Sequence, residues 1–213
     1  PPNAALPAVR MLGEAGLVGH SRIIMEKPFG TDLESAVELN RQLHEVFDEE
    51  QIFRIDHFLG KEPAQNILAF RFANGLFEPI WNRNFIDHVQ IDVPETLGLG
   101  RRAGFYEQTG AYRDMVVTHL FQILGFMAME APTHLAPKPI SEEKNKVFPS
   151  MRPIQPADVV RGQYLGYKAE EGVGTESDTE TFIALRCFID NWRWAGVPFY
   201  LRTGKRMAEG QRI

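Results

Sequence analysis

The chain has 213 residues, of which 44% are hydrophobic and 24% charged, and this composition is typical of a folded protein with one or two domains. Its formal net charge of -5 argues against a dedicated nucleic-acid-binding protein, because binding to a phosphate backbone requires a surplus of lysine and arginine. No apolar stretch reaches the roughly 18–20 residues of a membrane span, so we expect no membrane partner.

The first quarter of the chain predicts helices that alternate with strands. Apolar spacing predicts helices over residues 6–15 and 31–47, the second with Thr31 as N-cap and Glu34 as its capping-box partner. Short apolar or alternating runs predict the strands, over residues 21–25 and 51–56. This alternation indicates a piece of an α/β sheet.

The pattern then changes to strands without a helix between each neighbouring pair. A helix is predicted over residues 62–72, and further strands are predicted over residues 84–95, 159–167 and 181–193. An antiparallel sheet is the natural product of such an order. Cys187 lies in the last of these runs, where we expect a buried, unreactive thiol, and a single cysteine is consistent with a reducing cytoplasm.

Two further segments complete the prediction. Residues 112–129 are rich in apolar side chains and predict a long helix that is buried on more than one side. Residues 132–156 are polar and rich in proline, which predicts an extended surface connection with a short helix from Ser141.

Titratable residues concentrate in two segments, residues 54–62 (RIDHFLGKE) and 113–119 (RDMVVTH). A polar turn explains the first segment and a core histidine explains the second, so these residues alone leave a functional reading open. A metal-dependent hydrolase is one such reading, with ligands at Asp56, His57, Asp114 and His119. The sequence contains neither an HExxH motif nor a close histidine pair, which argues against it.

Four motifs, taken together, resemble one enzyme family in their order and spacing. They are EKPFG at residues 26–30, RIDHFLGKE at 54–62, the GxYRDMxxxH pattern at 110–119 and VPFYLRTGKR at 197–206. In these motifs the chain resembles the glucose-6-phosphate dehydrogenases over essentially its whole length.

The resemblance implies an α+β fold. Residues 1–55 would be the C-terminal remnant of a Rossmann-type dinucleotide-binding domain. Residues 56–213 would be an incomplete substrate and dimerisation domain, with a large, mainly antiparallel sheet and packed helices. The implied activity is oxidation of glucose 6-phosphate at C1 to 6-phosphogluconolactone in the pentose phosphate pathway, by a cytoplasmic homo-oligomer. NADP is the implied hydride acceptor, with NAD as the alternative, and no metal is needed.

The resemblance also assigns roles to residues. His119 matches the general base that removes the C1 hydroxyl proton, a task suited to an imidazole whose ordinary pKa of about 6.5 lies near neutral pH. Asp56 matches the carboxylate that orients this base. The matched substrate-binding residues are His57 and Lys61 at the phosphate, Glu95, Asp114 and Lys205 at the sugar, and Lys27 at substrate and cofactor. Pro28 matches the family's cis-proline hinge between domains and is assigned, with Lys27, to the cofactor.

The chain departs from the family pattern at several points. Phe58 stands where many members have tyrosine, Thr118 where asparagine is common, and Gly210 where another basic residue is common. No Gly-rich turn between a strand and a helix occurs near the N-terminus, so by itself the chain is not expected to bind the cofactor. The alternative to an enzyme is therefore a non-catalytic sugar-phosphate-binding fragment.

Overall fold

The structure is a computed structural model that describes residues 2–30 and 32–208, with the backbone alone for residues 2–5. The chain divides into two compact units, Pro1–His57 and Phe58–Ile213.

The first unit contains the four elements that the sequence predicts. They are α1 (Pro2–Glu14), β1 (Ile23–Glu26), α2 (Leu33–His44) and β2 (Ile52–Ile55), with short 3₁₀ turns at Val18–His20 and Glu49–Gln51. The strands pair in parallel, with Ile23 opposite Ile52 and Glu26 opposite Ile55. A small core of Val9, Leu43, Phe47 and Ile52 joins the helices to the sheet.

The start of α2 differs from the prediction. The Asp32 side chain accepts a hydrogen bond from the Ser35 N–H at 2.8 Å, and the Ser35 hydroxyl accepts one from the Asp32 N–H at 3.0 Å. This reciprocal pair is a capping box, and it satisfies two backbone donors that the helix itself leaves unpaired. The predicted N-cap, Thr31, lies outside the described residues.

The second unit combines helices with one four-stranded sheet. Its helices are α3 (Glu62–Phe72), α4 (Ala103–Ala111), a π-helix (Tyr112–Leu120), α5 (Phe121–Ala128) and α6 (Pro137–Val147). Its strands are β3 (Val89–Pro94), β4 (Val159–Gly162), β5 (Phe182–Phe188) and β6 (Pro198–Gly204). Single 3₁₀ turns occur at Glu78–Ile80, Gly100–Arg102, Phe148–Ser150, Pro156–Asp158 and Tyr167–Ala169.

The sheet has the order β3-β6-β5-β4. Two of its three pairings are antiparallel, which agrees with the predicted, mainly antiparallel sheet, while β3 and β6 run parallel. A parallel neighbour requires a long crossover connection, and here the helices α4 to α6 and two strands lie between β3 and β6 in the chain. The inner face of the sheet packs with the π-helix and α5 in one large core.

Several segments of the second unit differ from their predictions. Two strands are shorter than predicted, since β4 ends at Gly162 and β5 at Phe188, instead of at residues 167 and 193. Residues 84–88 do not extend β3, because a turn forms at Asn82, whose carbonyl accepts from the Ile86 N–H at 2.9 Å. The predicted extended connection over residues 132–156 contains α6, which is much longer than the expected short helix. The helix predicted over residues 112–129 is present, but its first half is a π-helix.

Candidate active site

Within the first unit, the predicted site residues follow the two parallel strands. Glu26 and Ile55 are paired at the last position of β1 and β2, so Lys27-Pro28 and Asp56-His57 leave the sheet at the same edge. The carboxyl edge of a parallel sheet is where α/β proteins bind their ligands. The peptide bond between Lys27 and Pro28 is cis, as the sequence resemblance implies.

In the second unit, a π-helix carries both Asp114 and His119. Gly110, the second-last residue of α4, has φ 64° and ψ 177°, so the helical path is interrupted just before the π-helix begins. Hydrogen bonds of a π-helix join residues five apart, and Asp114 and His119 have this spacing. The π-helix therefore places the two side chains on neighbouring turns. Both are buried, with 5% and 1% of their surface exposed.

His119 is stacked on an aromatic ring. The centroids of the His119 and Phe58 rings lie 4.0 Å apart, and the two planes differ by only 19°. The Nζ atom of Lys61 lies 3.3 Å from the centroid of the same Phe58 ring. The structure thus brings together two predicted residues, Lys61 and His119, through a third that the sequence marks only as a departure from the family.

Glu95 and Lys205 form a second pair of predicted residues. Glu95 follows β3 and Lys205 follows β6, and because these strands are parallel neighbours both side chains leave the sheet at one edge. The Lys205 Nζ donates to the Glu95 carboxylate at 2.8 Å. Lys205 is only 8% exposed, so its charge is balanced inside the protein by this carboxylate.

Tyr106 links this pair to the π-helix. The Lys205 Nζ lies 5.3 Å from the centroid of the Tyr106 ring. Burial raises the pKa of Tyr106 above its ordinary range, and the nearby carboxylates of Asp114, Glu180 and Glu95 raise it further. A phenol surrounded by three carboxylates remains protonated, so its hydroxyl is available as a hydrogen-bond donor.

The start of the π-helix is capped by Glu180, a residue that no sequence motif marks. The Tyr112 N–H donates to the Glu180 carboxylate at 2.9 Å, and the Ala111 N–H donates to the Glu180 carbonyl at 3.0 Å. Glu180 therefore caps a helix that has no capping side chain of its own. The sequence indicates the need for such a partner only indirectly, because Ala111, the residue before Tyr112, has no side chain that could cap the helix.

Known protein families match both parts of the chain. Residues 68–212 match the family model for the glucose-6-phosphate dehydrogenase C-terminal domain, and residues 1–66 match the NAD-binding domain of the same enzyme. The chain belongs to the glucose-6-phosphate dehydrogenase family. The resemblance seen in its sequence motifs is thereby confirmed.

Relatives within this family are similar in both sequence and structure. The glucose-6-phosphate 1-dehydrogenase of Rhizobium meliloti is 55% identical over 203 residues, which cover 89% of this chain and 41% of the relative. A crystal structure from Mycobacterium avium has a TM-score of 0.91 at 46% identity and covers 96% of this chain and 46% of that one. A glucose-6-phosphate dehydrogenase in complex with glucose 6-phosphate has a TM-score of 0.93 at 38% identity, covering 100% and 46%.

The chain spans about two fifths of the length of the curated relatives that it matches. The activity of a complete family member is therefore a proposal for this chain. In the described part of the structure, no helix combines the length and apolar character needed to cross a bilayer.

The three departures from the family pattern have different structural contexts. The Thr118 hydroxyl donates to the Asp114 carbonyl at 2.7 Å, so its bond stays within the π-helix. Phe58 contacts two candidate site residues, as described above. Gly210 lies outside the described residues.

Cys187 is buried as expected, and burial raises the pKa of its thiol to about 12.

Proposed function

We propose that this chain is the substrate-binding and catalytic part of a glucose-6-phosphate dehydrogenase. The reaction is oxidation of glucose 6-phosphate at C1 to 6-phosphogluconolactone in the pentose phosphate pathway. The observation that carries the proposal is the placement of His119. In a chain of this family, the histidine matching the general base is buried on a π-helix, one turn from Asp114, and is stacked on the Phe58 ring that Lys61 also contacts.

His119 accepts the proton of the C1 hydroxyl. Only 1% of the His119 surface is exposed, so bulk water is kept from the imidazole, which favours proton transfer from a bound substrate hydroxyl. We assign Asp56 the role of orienting His119 and stabilising the imidazolium that forms, because a carboxylate fixes the tautomer of a histidine and stabilises its charged form. This pairing rests on the family resemblance of the two motifs.

The phosphate and the sugar are bound by separate groups. His57 and Lys61 are assigned to the phosphate, since cationic donors make the strongest hydrogen bonds to a dianionic ester. Glu95, Asp114 and Lys205 are assigned to the sugar hydroxyls. The 2.8 Å bond between Lys205 and Glu95 supports this assignment, because it holds an acceptor and a donor ready for neighbouring hydroxyl groups.

The cofactor would be held in part by the first unit. Lys27 and Pro28 fit this task, because they leave the carboxyl edge of a parallel sheet in a segment that matches an NAD-binding domain. The nicotinamide, when bound, supplies the acceptor for the hydride that leaves C1. We assign NADP in preference to NAD, a cytoplasmic location and a homo-oligomeric parent protein on the family resemblance.

The test is reduction of NADP by the complete protein that contains this chain, with glucose 6-phosphate as substrate. His119→Asn removes the base, and we expect kcat to fall about 100- to 10,000-fold. Asp56→Asn should lower kcat about 100-fold or more, as loss of an orienting carboxylate does elsewhere. Asp87 and His88 form an exposed pair at 2.9 Å, so Asp87→Asn and His88→Asn are matched controls.

Three results would contradict the proposal. If His119→Asn retains as much activity as His88→Asn, His119 is not the general base. Calorimetry that detects tight binding of zinc or manganese, but none of glucose 6-phosphate, would favour the metal-dependent hydrolase. Binding of glucose 6-phosphate without NADP reduction by the complete protein would favour the non-catalytic alternative.

A further inference from the structure

We infer that Phe58 is a positioning residue that supports the general base and the phosphate-binding lysine on the two faces of one ring. The inference rests on the proposed function of His119 and Lys61. Phe58 itself contacts neither the reacting carbon nor the cofactor in this role, and it acts through its two neighbours.

The two neighbours occupy opposite faces of the Phe58 ring. The imidazole of His119 lies parallel to the ring at 4.0 Å, which is stacking distance, and therefore covers one face. The Lys61 Nζ lies 3.3 Å from the ring centroid. An ammonium group at that distance cannot share a face with a stacked imidazole, because the two groups would occupy the same space.

The ring is well placed to fix both groups, because its own position is constrained. Phe58 is 8% exposed and belongs to the large core of the second unit. The Lys61 N–H donates to the Phe58 carbonyl at 3.1 Å, which closes the turn that joins the two residues. Rotation of the ring away from His119 would therefore disturb the core packing.

On the His119 side, stacking restrains the plane of the imidazole. A general base must direct one ring nitrogen at the hydroxyl proton, and misplacement by about 1 Å can cost about 100-fold in rate. A flat aromatic surface allows the imidazole to slide but resists tilting. Loss of the ring should therefore lower kcat.

On the Lys61 side, the ring holds a cation at the edge of an apolar space. Phe58 and Lys61 line a cavity of about 290 Å³ whose other walls are mostly apolar, among them Pro63, Ile67 and Ile123. A cation–π contact is stronger where water is excluded. The ring thereby restrains the ammonium that the proposed function assigns to the phosphate, and loss of the ring should weaken phosphate binding.

The experiment compares variants of the complete protein in steady-state kinetics with glucose 6-phosphate. Phe58→Leu should lower kcat about 10- to 100-fold and raise KM a few-fold, whereas Phe58→Tyr, which keeps the ring, should restore kcat toward that of the parent. Phe199→Leu is the matched control, because Phe199 is fully buried in the same core and its ring contact is with Trp194. If Phe58→Leu does not fold, Phe58→Met tests the same contact with a more adaptable side chain.

A second measurement is independent of activity. Protons of an imidazole stacked on an aromatic ring are shifted upfield in NMR spectra, so the His119 Hε1 signal should move downfield in Phe58→Leu and remain in place in Phe199→Leu. Equal losses of kcat in these two variants, or an unmoved His119 signal in Phe58→Leu, would overturn the inference. An inactive parent protein with a shifted His119 signal would instead count against the proposed function and leave the stacking intact.

Discussion

Replacement of Gly110 by alanine tests the start of the π-helix. Gly110 has φ 64° and ψ 177°, a backbone conformation that is almost restricted to glycine and costs other residues roughly 1–3 kcal/mol. An added Cβ would lie 2.6 Å from the Glu180 Oε1 atom, so the carboxylate must move and release the Tyr112 N–H. A hydrogen bond to a charged group contributes roughly 1.5–3 kcal/mol.

The sum of these effects, less the gain of roughly 0.4–1 kcal/mol from a stiffer unfolded chain, is a loss of about 2–5 kcal/mol in the free energy of unfolding. The assay is urea unfolding followed by tryptophan fluorescence. All three tryptophans lie in the second unit, and Trp194 is fully buried, so the signal reports this unit.

Two comparisons separate the contact with Glu180 from backbone strain. Gly166 also has a positive φ, 86°, but an added Cβ there meets nothing within 4 Å, so Gly166→Ala should cost about 1 kcal/mol or less. Adding Glu180→Ala to Gly110→Ala should cost about 1.5–3 kcal/mol less than the sum of the single changes. Additive losses, or equal losses for Gly110→Ala and Gly166→Ala, would refute the capping role.

Three further predictions concern other parts of the second unit. Arg71 is fully buried and donates to the Phe126, Met127 and Met129 carbonyls, so Arg71→Leu should lower the free energy of unfolding by about 3 kcal/mol. Arg152→Leu, which removes an exposed ion pair with Asp190, is the control and should change this free energy far less. Cys187 should not react with Ellman's reagent in the folded protein. Burial raises the pKa of Cys187 from 9.0 to about 12, so the neutral thiol stabilises the folded protein fully below about pH 9. This stabilisation should be lost as the pH rises toward 12, and the free energy of unfolding should show this loss in the parent protein but not in Cys187→Ala. Lys205→Met leaves the Glu95 carboxylate without its buried partner and should raise the dissociation constant for glucose 6-phosphate about 10-fold in calorimetry; an unchanged constant would contradict its assignment to the sugar.

The sequence by itself determined most of the local elements, and its motifs named the candidate site residues. The predicted helix over residues 62–72 has the same bounds as α3, because its apolar spacing and its early proline act within one helix. The alternation of helices and strands likewise predicted the first unit, including the strands that Lys27 and Asp56 follow. Motif order was sufficient to indicate the family.

Only the tertiary structure decided how the second unit arranges its site. Glu180 caps a helix that begins 68 residues earlier in the chain, and β6 lies parallel to β3 across a connection of about a hundred residues. The π-helix that brings Asp114 and His119 onto neighbouring turns has the apolar pattern of an ordinary helix. These features depend on packing and hydrogen bonds between residues distant in sequence, whereas periodicity and capping motifs report only the interactions of each residue with its near neighbours.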